Sequence, residues 1–138
     1  MKKTVKISLI LCSVLVVYII VSAVVLGFSK TNSIYINDYS VSDDGKTMTF
    51  SIINSSSMGH VRGYKDSPVS NNDHRLSFYS CWGGFNSSIG AKDTFTLKLD
   101  EDDTEIYLYH GDDYALTLIK DPQTGIWYKS AGTIQVAE

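Results

Sequence analysis

ISLILCSVLVVYIIVSAVVLGF, residues Ile7 to Phe28, carries no charged side chain, and the rest of the chain lies almost wholly on one side of it. At about 1.5 Å per helical residue this run is long enough to cross a hydrocarbon core roughly 30 Å thick. A buried helix of a small soluble domain would show a polar face, and this one shows none. Lys2, Lys3 and Lys6 precede the run and only Lys30 follows closely. The positive-inside rule therefore expects residues 1–6 in the cytoplasm, a transmembrane helix over residues 7–28 in the lipid bilayer, and the remainder outside the cell.

The competing reading is a cleaved secretory signal. Apolar cores of signal peptides run about 7–15 residues and end at a small-x-small site. This run is longer, and neither Val25-Leu26-Gly27 nor Gly27-Phe28-Ser29 makes a good site. A lipoprotein signal fits less well still, because Cys12 follows Leu11 and falls inside the run. Ala23 and Gly27 form a small-xxx-small pair, a spacing common by chance in apolar helices.

Beyond the run, nine Lys and Arg stand against fifteen Asp and Glu, a net charge near −6. Nucleic acid and anionic membrane surfaces need clustered cations, so neither is an expected partner. Just over a hundred residues suffice for one hydrophobic core. Cys81 is the single cysteine outside the apolar run, so no disulfide can form within this domain. That usage favours a bacterial surface over an animal one. The sequons at Asn54 and Asn86 are read as loop residues.

From residue 34 the pattern is one of strands. Residues 29–33 form a polar spacer, and Ile34–Val41 and Thr47–Ile53 make a hairpin around Asp43-Asp44-Gly45. Residues 54–74 are rich in Ser, Gly, Asn and Asp and read as a long recognition loop, with a short edge strand around His60–Tyr64. Arg75–Trp82 carries bulk on both faces and reads as a central strand. Thr94–Leu99 is cleanly amphipathic, with Phe95, Leu97 and Leu99 on one side. Glu105–His110 and Tyr114–Ile119 follow, the latter placing Tyr114, Leu116 and Leu118 together, and Ile126–Tyr128 and Thr133–Val136 close the pattern. Seven or eight short strands with regular turns predict an all-β fold over residues 34–138, an antiparallel, immunoglobulin-like β-sandwich, with a small closed barrel as the alternative.

The chemistry-bearing residues each have an ordinary explanation. Asp100, Asp102, Asp103 and Glu105 are Ca²⁺-type ligands, but they lack EF-hand spacing and read as an acidic turn. His60, His74 and His110 show no metal-ligand spacing, so no metal or other cofactor is expected. Cys81 sits mid-strand beside Trp82 and reads as a buried thiol, and no Gly-x-Ser-x-Gly elbow occurs. No catalytic residue is expected. Of the aromatics, Tyr79, Tyr107, Tyr109 and Trp82 read as core, which leaves Tyr64 and Trp127 as surface candidates. With His60, Arg62 and Lys65 they make up the expected binding surface.

The runs from Ser56 to Arg62 and from Leu76 to Lys92 (LSFYSCWGGFNSSIGAK), together with Asp103–Tyr107 and Tyr114–Leu118, resemble a family of small membrane-anchored extracytoplasmic proteins of Firmicutes, found in clostridia and their relatives. The resemblance covers about residues 55–130. It implies a Gram-positive surface location, brings no assigned function and carries no catalytic residue across. The chain departs from the family at Cys81-Trp82, where relatives carry a small residue, Thr or Phe.

The expectation is a non-enzymatic surface module that binds a protein, peptide or glycan through the 55–74 loop. The alternatives are a wall-active hydrolase, or an inhibitor of one, using His60 or His74 with nearby acids, and an accessory subunit of a membrane complex.

Overall fold

The structure, a computed structural model, describes residues 2–27, 29–55, 60–81 and 91–131. Helix α1 (Lys2–Gly27) precedes nine strands, β1 (Ser29–Thr31), β2 (Ile34–Val41), β3 (Thr47–Asn54), β4 (His60–Asp66), β5 (Asp73–Cys81), β6 (Thr94–Lys98), β7 (Glu105–His110), β8 (Asp113–Lys120) and β9 (Trp127–Lys129). The all-β reading of the domain stands, with a single helix before it. α1 is long and apolar enough to cross a membrane, and from Lys3 to Val21 none of it is buried. It therefore does not serve as a core helix for the sheets.

The strands form two sheets. One has six strands in the order β1-β5-β7-β8-β9, with β4 also paired to β5; the other has three in the order β2-β3-β6. β5 is central, as its two bulky faces predict. β4 covers one of its edges, while β7 and β1 share the other, β7 along Asp73–Leu76 and β1 along Phe78–Ser80. The β5–β7 pair is parallel, unlike the all-antiparallel expectation. Parallel neighbours need a crossover, and here the chain crosses through β6 of the opposite sheet before returning to β7.

Residues 29–31, expected within a spacer, are strand β1, paired to β5 from Ser29↔Ser80 to Thr31↔Phe78. Three residues are too few to show a period, and the open edge of β5 beyond β7 decides their conformation.

The core lies between the sheets. The small sheet contributes Ile34, Ile36, Met48, Phe50, Ile52, Phe95 and Leu97, and the large one Val61, Leu76, Phe78, Ile106, Leu108, Leu118 and Trp127, all buried. Phe50, Phe78 and Phe95 meet with ring centroids 5.4 to 6.2 Å apart, in part edge to face, an arrangement aromatic quadrupoles favour. Both flanks are bridged. On one, Tyr39 Oη donates to the Trp127 carbonyl at 2.6 Å and Lys129 Nζ to the Asn37 carbonyl at 2.7 Å. On the other, Tyr64 Oη donates to the Thr96 carbonyl at 2.7 Å and the Lys92 amide to the Val61 carbonyl at 2.8 Å.

Three β-bulges decide which side chains face inward. Alternation from Ile34 and Ile36 would bury Asp38, but the register slips between Ile36 and Asp38, so Tyr39 takes the inward place opposite Phe50. The slip between Val61 and Gly63 likewise turns Tyr64 inward, opposite Phe78, and Lys65 outward, opposite Ser77. In β8, Leu118 pairs with Ile106 and Leu116 with Tyr107, leaving Thr117 as the extra residue. Leu118 is buried, whereas Leu116 and Tyr114 turn to the opposite face; they do not share a side as simple alternation predicts.

Candidate functional site

The outer face of the six-stranded sheet carries the molecule's most distinctive surface. Phe78 and Leu108 point into the core, so period-two alternation sends Tyr79, Tyr107 and Tyr109 outward. The β8 bulge adds Tyr114, and Tyr128 of β9 stands opposite Ile119. The outward rings are half-buried or exposed, and none belongs to the core cluster.

Cations are laid among these rings. Lys30 Nζ lies 3.3 Å from the Tyr109 ring centroid and 5.4 Å from that of Tyr114. The Arg75 guanidinium lies 5.0 Å from Tyr107 and 5.6 Å from Tyr114. Tyr109 and Tyr114 meet edge to face at 5.6 Å, and the Tyr114 hydroxyl is 2.7 Å from Ser77 Oγ. Tyr107 Oη donates to Glu105 at 2.9 Å, which raises the phenol pKa, with burial adding to the effect. Such a surface of broad, stiff rings with charged tips is what binding interfaces concentrate. The outer face of the small sheet differs: Thr49, Thr94, Thr96 and Lys98 are exposed and polar.

A second cluster lies at the other end of the strands from β1's entry. Here the 67–72, 99–104 and 121–126 segments gather, tied by Thr104 N to the Asn72 carbonyl at 2.9 Å and by Lys120 N to the Thr104 carbonyl at 2.8 Å. Asp73, 3% exposed, accepts from the Val69 and Ser70 amides at 3.0 and 2.7 Å and from Arg75 Nε at 2.8 Å. Burial alone would raise its pKa, but those bonds win and hold it at about 2. His74 sits between two carboxylates: Nδ1 is 2.5 Å from Asp66 Oδ2 and Nε2 is 2.9 Å from Asp103 Oδ2. Burial opposes the imidazolium, yet the two hydrogen bonds and the two charges together raise the pKa above its ordinary 6.5. The stabilisation is therefore full below that ordinary value and is lost as pH rises through the folded one. As the imidazolium, with both ring nitrogens donating to carboxylates, it has no lone pair to take a proton from a substrate.

The expected binding residues are not brought together as one surface. Trp127 is 6% exposed and belongs to the core, because its place opposite Lys120 turns the ring inward. Tyr64 packs between Phe50, Phe78 and Phe95 across the inter-sheet gap. His60 and Lys65 are exposed on β4 and Arg62 is half-buried at its bulge. His60 borders an open pocket of about 310 Å³ with Ile52, Asn54, Val61, Lys92 and Asp93. Within the stretch read as a long 54–74 loop, residues 60–66 are strand β4, paired with β5, and 67–72 form a short turn, while 56–59 lie outside the described residues. Tyr79, Tyr107 and Tyr109, expected in the core, are the residues that face out. Alternation about Phe78 and Leu108 carried that signal, but it does not say which side of a strand faces the second sheet.

His110 lies against Tyr35, the ring centroids 5.6 Å apart and the planes tilted by 58°. Among the described residues, no group of three or more His, Cys, Asp or Glu is placed to hold a metal ion; Asp103 is instead bound by His74 and by the Asp100 amide at 2.5 Å. The Cys81 side chain, Trp82, Asn86 and the strand expected at Thr133–Val136 lie outside the described residues. Comparisons of the chain with protein-family models, with curated proteins and with solved structures found no match.

Proposed function

We propose that this chain is a single-pass membrane protein that presents its β-sandwich outside the cell as a non-enzymatic binding module. The outer tyrosine face of the six-stranded sheet is its contact surface for a protein, peptide or glycan. The observation that carries this reading is the placement of Tyr79, Tyr107, Tyr109, Tyr114 and Tyr128 on the solvent side of one sheet, interleaved with Lys30 and Arg75. None of them belongs to the buried core cluster. Tyrosine and arginine supply large contact area at low entropic cost. The engagement of both His74 nitrogens supports a binding role over a hydrolytic one. Lys2, Lys3 and Lys6 at the N-terminal end of α1 support an N-terminus in the cytoplasm, and the exposed apolar helix supports an anchor.

A photoreactive side chain placed at Tyr109, in the full chain in its membrane, should cross-link a partner. The same group at Thr49 on the small sheet should not. Equal yields from the two faces would sink the assignment of the surface. A reporter fused after Glu138 should be active outside the cell, and activity in the cytoplasm would overturn the topology.

A further inference from the structure

Between two ionised carboxylates His74 can serve both at once only as the imidazolium, because each ring nitrogen must then present a hydrogen. Its partners come from different parts of the chain, Asp66 from the end of β4 and Asp103 from the segment before β7. A neutral ring would keep one N–H bond and turn a lone pair toward the other carboxylate. The two sides are unequal. The Asp103 side chain is 5% exposed, and its Oδ2 also takes the Asp100 amide. Asp66 is 25% exposed and can exchange its lost bond for water. The remaining proton therefore belongs on Nε2, toward Asp103.

We propose that Asp66, His74 and Asp103 form a proton-operated latch at the end of the domain away from α1, closed by the imidazolium and opened on the Asp66 side when the ring loses one proton. Asp66 is the last residue of β4, an edge strand, and precedes the 67–72 turn, where Val69 is 75% exposed. Opening therefore loosens the end of an edge strand, while the turn beside it stays held by Asp73 through the Val69 and Ser70 amides. Asp66 Oδ1 accepts the Arg75 amide at 3.0 Å, and the Ser67 amide bonds the Arg75 carbonyl at 3.0 Å. Those two bonds loosen with the latch, whereas the Asp100 amide stays on Asp103. The charged groups that face the ring are Asp66 from β4 and Asp103 from the turn. On its own strand Asp73 and Arg75 pair with each other, and β7 sets Ile106 opposite. This device is independent of what the tyrosine face binds.

The test is NMR on the full chain in detergent micelles, from pH 6 upward, with the ring nitrogens of His74 observed directly. As the ring titrates, Nδ1 should lose its hydrogen and Nε2 keep its own. The Arg75 amide, after correction for intrinsic exchange, should lose about tenfold in protection, the loss of one charge-assisted hydrogen bond, while the Asp100 amide keeps its protection. In Asp66→Asn the Arg75 response to pH should vanish. Deprotonation at Nε2, or equal loss at Arg75 and Asp100, or no loss at either, would overturn the latch. The wild-type signals decide the matter alone if Asp66→Asn does not fold.

Discussion

Replacing Asp73 by Asn tests whether a buried carboxylate holds the end of the sandwich together. The side chain is 3% exposed and receives the Val69 and Ser70 amides, the Ser70 hydroxyl and Arg75 Nε, at 2.7 to 3.0 Å. Asn keeps the shape and an acceptor for the turn amides, but it sets an NH₂ group against the Arg75 donor. The magnitude follows from linkage: a pKa of about 2 in the fold against 3.8 in the unfolded chain corresponds to about 2 kcal/mol, at 1.36 kcal/mol per unit. The folded value is the lower one, so this stabilisation is complete above 3.8 and disappears as pH falls through the folded value. The full chain in mild detergent is unfolded with urea and followed by tryptophan fluorescence, for which buried Trp127 is a reporter. Asp73→Asn should be less stable by about 2 kcal/mol at pH 7, with the gap to wild type closing toward pH 2. A gap that does not change with pH would show that the charge is not what the site uses.

The β8 bulge separates two leucines that sequence alternation equates: Leu118→Ala should cost about 3 kcal/mol and Leu116→Ala under about 1, in the same urea assay. Tyr64→Phe removes the hydrogen bond to the Thr96 carbonyl and should cost about 1 kcal/mol, while Lys65→Ala, one residue on, should cost less than about 0.5. Gly111 turns with φ of 65° and open space around it, so Gly111→Ala should lower stability by about 1 kcal/mol through backbone strain alone.

Much of the architecture is local and therefore visible in the chain. The apolar run over Ile7–Phe28 needs no partner to be recognised, and α1 occupies nearly the same residues. Asp-Asp-Gly at 43–45 and Gly111 set two turns at positive φ, and Phe95, Leu97 and Leu99 all point into the core, as their spacing predicts. The candidate site was barely legible. Its tyrosines occur at strand spacing like any core residue, and its cation Lys30 lies in what composition marks as spacer. His74 and Asp103 are far apart in sequence, and their meeting depends on β5 and β7 lying side by side.

What the sequence determined by itself is the membrane-length helix, the succession of short strands and the placing of their turns, because each depends on residues a few positions apart. Only the tertiary structure decided which face of each strand is inside. A strand's period is two, so one extra residue reverses every side chain beyond it. The bulges at Asn37, Arg62 and Thr117 form against partner strands elsewhere in the chain. They put Tyr64 against the core and Tyr114 on the outer face, and with them they place the face on which the proposed function rests.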